Sequence, residues 1–447
     1  MVKKFPKFNR VTIKDLGASL VTLGMGLGSG EFILWPMLTV SYGYGILWGA
    51  LVGISMQLVL ISELQRYTSV SGEDIVTGSR RIHPLLPLVL LIASVLGFGW
   101  PGFTSSASTL LIDAYPSITI DPTILAILFL IVCALILVVG KNAYAKLEPL
   151  QTAIVVFSFL IIIYLASKFF DFEAVLSFTQ GFLTNDGRGL SLPDNISFAT
   201  YLGAIAYAGT GGILILSQSF YSIEEQHGMT QYVPHFSLKK KSSDVDIVAS
   251  EDSESVSHFR KLRGFQVGEN VIFFWLLGII TIFALSFLAR QLLSGYDILP
   301  GSLDFLKLEA FEIGSQFGDS FSKAFLLIGV FALLSVQIGV YDITARVAVM
   351  VLRSIVGIAA GRLYTIAVIV QLLMGIVIFM FISSEPVWLL VTGAVINALC
   401  MSLISLVAFI LNRKYIPGGY RPNSIVSSLL LLFSAIYLIL FIINIFV

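Results

Sequence analysis

The chain has 447 residues, of which 57% are hydrophobic and 12% charged, about half the ~25% charged share of soluble domains. A mean hydropathy of +0.92 excludes a soluble globular protein. The balance of 27 Lys and Arg against 27 Asp and Glu leaves no cationic excess for a nucleic-acid partner.

The first 15 residues form a basic tail with Lys3, Lys4, Lys7, Arg10 and Lys14. No short apolar run with a small-residue cleavage site follows it, so the first apolar segment is expected to stay in the mature protein. A helix needs roughly twenty apolar residues to cross the hydrocarbon core. Runs of that kind fall at 16–40, 44–64, 85–113, 123–139, 147–167, 198–222, 266–288, 321–349, 363–381, 387–411 and 424–446, which predicts an all-α integral membrane protein with eleven spans. With the N-terminus cytoplasmic, only Lys168, Arg188, Arg290, Lys307 and Lys323 fall outside, leaving 22 of the 27 basic residues inside. The positive-inside rule then predicts a multi-pass plasma-membrane protein with its C-terminus outside. Cys133 and Cys400 lie within apolar spans and read as small buried hydrophobes. The longest cytoplasmic connection, 223–265, joins Lys239, Lys240 and Lys241 to a Ser-rich acidic stretch, a composition expected to stay mobile. His227, His235 and His258 lie in it without the i, i+4 spacing of a helical metal pair, and read as solvated.

Most spans are continuous runs of Leu, Ile, Val and Phe, but two are not. The first contains Gly24-Met25-Gly26-Leu27-Gly28-Ser29-Gly30-Glu31, and the sixth Ala208-Gly209-Thr210-Gly211-Gly212. Glycine permits unwinding, and freed backbone groups at membrane depth are tolerated where protein encloses them. Gly24 and Gly28 alone also fit a small-xxx-small packing pattern. Two breaks five spans apart, one entered from inside and one from outside, point instead to an inverted five-helix repeat with a substrate site between them. The repeats would run about 16–167 and 198–411, with 424–446 as an extra helix. Gly28, Ser29, Gly30, Glu31, Gly209, Thr210, Gly211 and Gly212 are the expected substrate-binding residues, with Met25 as a candidate additional ligand.

Glu31 is the one acid in the middle of the first span. An intramembrane carboxylate must be protonated, hydrated, paired or bound to a cation. It is the candidate metal ligand and coupling residue; as a structural alternative it would hydrogen-bond freed amides at the start of the second half-helix. Asp342 and Arg346, spaced i, i+4, are expected to pair as a structural or gating contact near the cytoplasmic end. Trp100-Pro101-Gly102 marks a kink in the third span, followed by a polar stripe of Thr104, Ser105, Ser106, Ser108 and Thr109.

Gly28-Ser29-Gly30-Glu31, Tyr42-Gly43-Tyr44, Leu47-Trp48, Gln57, Glu63 and Ser71-Gly72-Glu73-Asp74 together resemble the opening of an Nramp-family (natural resistance-associated macrophage protein) transporter. Gln337-Ile338-Gly339-Val340-Tyr341-Asp342 with Arg346 is similar to a later segment of that family. The resemblance implies the LeuT-type fold of two inverted five-helix repeats plus one helix, and carriage of divalent transition metals, commonly with protons. The chain departs from the family where members have Asp-Pro-Gly-Asn in span one and Met-Pro-His in span six. Those positions hold Gly28-Ser29-Gly30-Glu31 and, by approximate alignment, Gly209-Thr210-Gly211. A site of Glu31, carbonyls and hydroxyls would suit a harder cation such as Mg2+ or Mn2+. Three readings follow: a proton-linked divalent cation transporter, a carrier of an amino acid or similar solute docked on the half-helix N-termini, and a non-transporting sensor. An enzyme is not expected, since no nucleophile–base set, cofactor motif or P-loop is present. Membrane lipid, the transported cation and protons are the expected partners.

Overall fold

The computed structural model describes residues 2–8, 17–26, 28–139, 143–189, 191–194, 196–233, 247–296, 301–356 and 359–446. In chain order these form β1 (Val2–Lys3), α1 (Gly17–Gly26), α2 (Trp35–Tyr42), α3 (Leu47–Ser71), α4 (Ile75–Ser79), α5 (Leu86–Phe98), α6 (Gly102–Ala114), α7 (Pro122–Val138), α8 (Ala143–Ser167), α9 (Phe172–Thr184), α10 (Phe198–Ala206) and α11 (Ser217–Glu224). Then follow β2 (Val248–Ala249), α12 (Ser253–Glu269), α13 (Leu277–Leu292), α14 (Asp304–Phe317), α15 (Asp319–Val356), α16 (Ala360–Phe381), α17 (Pro386–Ile410) and α18 (Ser424–Phe446).

Among the described residues, eight helical runs are long and apolar enough to cross a bilayer. A further apolar helix, α7, has 17 residues, starting at a Pro behind an Asp121 side chain that caps Thr123 and Ile124. The first and sixth expected spans are not continuous. Each is two short helices, α1 with α2 and α10 with α11, joined through a break. The third span breaks at its Pro101, where α5 ends and α6 begins, because proline cannot donate the amide that would continue the ladder. Its polar stripe mostly turns back on the backbone: Thr104 Oγ1 bonds the Pro101 carbonyl at 3.1 Å, Ser108 and Thr109 bond the Ser105 carbonyl, and Ser105 reaches the Ser384 carbonyl at 2.6 Å.

α15 is the central post, with 78% of its apolar window buried, against 17% for α18, which packs on α17 at the periphery. One end of the bundle collects the tail, Arg66, Arg81, Arg263 and the 415–421 turn. There Arg66 bonds the Tyr420 carbonyl and Tyr415 bonds the Arg81 carbonyl. The opposite end holds Arg188 on the Tyr42 carbonyl and the Lys307–Asp113 pair.

The stretch 223–265 differs from its expectation. Its described part is structured: β2 pairs in parallel with β1, and α12 runs on through a π turn at Asn270–Leu276 into α13. Hydropathy finds only the apolar part of that helix, so the sequence placed the start of span seven at 266. The true start is the Asp252 cap, whose side chain accepts from Ser255 N at 2.9 Å. His227 is buried, not solvated, with Nδ1 3.4 Å from Glu225 and its ring edge-on to Phe8 and Phe265. His258 Nδ1 lies 3.4 Å from the Phe5 carbonyl oxygen. His235, Lys239, Lys240 and Lys241 lie outside the described residues.

Candidate functional site

The two breaks meet. A Cβ on Gly26 would come within 2.8 Å of the Gly209 carbonyl carbon, and one on Gly30 would fall on the Tyr207 carbonyl oxygen. Only glycine lets two backbones approach that closely. At the first break Gly28 N bonds the Gly26 carbonyl at 2.7 Å, and a π turn, Ser29–Leu34, restarts the helix. At the second, Gly209, Gly211 and Gly212 have φ of 128°, 61° and 53°, values that side chains disfavour. Gly28 itself abuts Val336 of α15.

Unwinding α10 from α11 frees backbone groups that would each cost about 1–3 kcal/mol if left unpaired in the interior. Two amides from other spans take them up. Gln57 of α3 donates Nε2 to the Ala206 carbonyl at 3.1 Å and accepts Gly211 N on Oε1 at 3.1 Å, so one side chain bridges both lips of the break. Asn397 of α17 accepts Ile213 N at 3.4 Å and donates to the Tyr207 hydroxyl and the Gly97 carbonyl. Thr210 Oγ1 donates to the Thr22 carbonyl at 2.9 Å, tying the second break to the first half-helix.

Between the breaks lies a cavity of about 10 Å³, room for roughly one water-sized object. It is lined by Met25, Gly26, Gly209 and Thr210 from the broken helices, by Phe98, Phe103 and Tyr207, and by Leu214 and Val336. The three rings form one aromatic wall: Phe98 stacks on Tyr207 at 6.0 Å, and Phe103 lies 6.2 Å from Tyr207. All nine lining residues are buried.

The structure thus unites Met25, Gly209 and Thr210 at one cavity, with Gly26 and Gly30 making the backbone crossing; Gly28 packs on Val336, Gly211 on Ala206 and Tyr207 of its own segment, and Gly212 on Asn397. Ser29 opens the π turn. Glu31 is placed differently. It is buried, neither carboxylate oxygen has a hydrogen-bond partner, and it is absent from the cavity lining. It packs toward α13, where a Cβ on Gly278 would sit 3.5 Å from Oε1. No cluster of three or more His, Cys, Asp or Glu with metal-binding geometry occurs among the described residues.

Asp342 and Arg346 do pair, and the pair belongs to a larger buried set. Arg346 Nε donates to Asp342 Oδ2 at 2.9 Å, and its Nη1 to Glu224 Oε1 of α11 at 3.1 Å. Tyr364 of α16 and Tyr221 of α11 donate their hydroxyls to Asp342 at 2.7 and 3.2 Å. The Tyr221 hydroxyl also stands 3.9 Å from the Met25 sulfur, so the network runs from the cavity wall to the end of α11. Sequence reasoning missed Asn397, Tyr207, Phe98, Phe103, Tyr221, Tyr364 and Glu224 as site residues, and quoted Gln57 only as part of a motif. Gln57 and Asn397 carried a usable signal: a large amide inside an apolar span must find partners there.

No family model and no curated protein sequence matches the chain. Solved structures do. A point mutant of the Eremococcus coleocola manganese transporter superposes with a TM-score of 0.70 at 12% identity, over 98% of this chain and 89% of that one. MhsT in complex with L-phenylalanine gives 0.57 at 15%, over 99% of each chain. Mhp1, a nucleobase-cation-symport-1 family transporter, gives 0.58 at 13%, over 96% and 91%. The chain therefore has the LeuT-type fold, which these membrane transporters share.

Proposed function

We propose that this protein is a secondary transporter that moves a divalent metal cation across the plasma membrane, linked to protons, by alternating access at the cavity between the broken helices. The observation that carries the reading is the glycine-on-backbone crossing of the two breaks beside one small buried cavity. Such a site is reachable from either side if the half-helices tilt. The proposal includes eleven spans, repeats at about 16–167 and 198–411, an extra helix at 424–446, a cytoplasmic N-terminus and an outside C-terminus.

The Met25 thioether in the cavity wall supports a transition metal such as Mn2+ over Mg2+, because soft ligands discriminate against hard ions. Thr210 and the freed carbonyls supply the oxygen ligands in this reading. Glu31, at the start of the second half-helix, supplies the negative charge that a divalent ion needs nearby. The manganese transporter among the similar structures is consistent with this choice. The test is uptake into proteoliposomes of Mn2+, Mg2+ and amino acids, with an internal pH dye reporting proton entry. Mn2+ uptake with acidification, reduced in Met25→Ala, is expected. Uptake of none of the cations would overturn the reading.

The aromatic wall favours a second reading. Phe98, Phe103 and Tyr207 form one wall of a cavity whose lining contains no carboxylate, a surface that would suit the apolar side chain of an organic solute once the half-helices part and the cavity widens. In that case amino-acid uptake would be sensitive to Phe103→Ala and indifferent to Met25→Ala.

A further inference from the structure

Residues 2–8 of the basic tail are built into the fold. Phe5 is 2% exposed, with its ring 5.7 Å from Phe259 and 5.8 Å from Tyr420. The position of a Cβ on Gly228 lies 2.8 Å from Phe5 Cζ, so that glycine forms the floor of the pocket. The backbone is held as firmly as the ring: Phe5 N donates to Ser255 Oγ at 3.1 Å, Ser250 N to the Lys3 carbonyl at 2.8 Å, and the Tyr232 hydroxyl to the Lys4 carbonyl at 3.0 Å. Phe8 continues the contact against Phe265 at 5.2 Å. The Lys4–Glu254 pair at 3.0 Å is largely exposed and adds little. Phe5 is the anchor.

The pocket's position gives it meaning. Gly228 belongs to the short turn that follows α11, the half-helix of the second break nearest this end of the bundle. Phe259 lies on α12, which leads into α13, and Tyr420 lies between α17 and α18. Arg66 of α3 adds a clamp, stacking 5.7 Å from the Phe259 ring and bonding the Tyr420 carbonyl at 2.9 Å. The extension of α11 is thus tied to three other spans around one buried ring.

We propose that residues 2–8 are a latch: with Phe5 seated on Gly228, the turn that follows α11 is held against α12 and the 417–420 turn, and the cavity stays shut on this side. The half-helices can part only after the ring leaves its pocket. The latch rests on the alternating-access reading above.

The test is the alkylation rate of a cysteine at Ser222, fully buried on α11, in the purified full-length protein. It is compared in the parent, in Phe5→Ala, in a deletion of residues 2–8 and in Glu224→Gln, which releases α11 from Arg346 independently of the tail. The native Cys133 and Cys400, both buried, report loss of fold in the same molecules. The latch predicts a rise of about tenfold in both tail variants, as expected for a closed state made less populated, while Cys133 and Cys400 stay protected. A rise in Glu224→Gln with parental rates in both tail variants overturns the latch and leaves alternating access standing. Rates that rise together with those of Cys133 and Cys400 make the tail a structural brace and overturn the latch. Parental rates in every variant overturn alternating access itself.

Discussion

One amide bridges both lips of the second break. Gln57 bonds the last carbonyl of α10 and the amide of Gly211, groups that an unbroken helix would have paired within itself. Gln57→Ala orphans both, at about 1–3 kcal/mol each. Its melting temperature in detergent should therefore drop, and its transport should fall more than the loss of folded protein explains. Gln57→Glu puts a buried carboxyl group against the Ala206 carbonyl, so its melting temperature should also fall below the parent's. Parental stability in Gln57→Ala would mean that water replaces the amide. Glu31 poses the opposite case, a buried carboxylate whose oxygens meet no donor. If its charge serves a cation nearby, Glu31→Gln should raise the apparent KM for Mn2+ about tenfold, equivalent to ~1.4 kcal/mol, with an unchanged melting temperature. A lowered melting temperature with an unchanged KM would make it a helix-capping group. Legibility differs between these two residues. The depth and isolation of Glu31 were plain in the sequence, but its facing was not, because a break of unknown twist resets the helical register beyond it.

At the scale of elements, the breaks in the first, third and sixth spans were legible because glycine and proline act through the local backbone. Their consequences were not, since Gly26 meets Gly209 and Gly30 meets Tyr207 across about 180 residues of chain. The geometry sharpens the expectation for these positions. The Cβ of even an alanine at Gly30 would overlap the Tyr207 carbonyl oxygen, so Gly30→Ala should abolish transport, whereas Gly264→Ala, where a Cβ meets nothing within 4 Å, should not. Transport by Gly30→Ala at the parental rate would show that the half-helices do not cross at this point. α12 shows a different limit of sequence reading. It is a helix whose polar first half has no membrane signature, begun by an Asp252 that Ser250 and Ser255 hold below the usual carboxylate range. A depressed carboxylate contributes its stabilisation above its ordinary titration range and loses it as the pH falls through the depressed one. The cap therefore remains intact at neutral pH.

The whole molecule carries its own evidence on orientation, separate from the count of basic residues. α18 leaves the end of the bundle that holds Tyr420 and the tail, and its 23 residues extend about 34 Å at 1.5 Å per residue. That is enough to cross the hydrocarbon core, so the proposed topology puts residues 2–8 and 446 on different sides of the bilayer. In the proposed topology the charge bias makes the tail end the cytoplasmic one. Cysteines at the exposed Asp194 and Lys261 sit at opposite ends and read this directly, since the native Cys133 and Cys400 are buried. In intact cells a membrane-impermeant maleimide should label Asp194→Cys, and it should label Lys261→Cys only after permeabilisation. The reversed pattern would place the tail and its Phe5 pocket outside. Labelling of both in intact cells would contradict the fold, because α13 crosses the bundle between Lys261 and the end that carries Asp194.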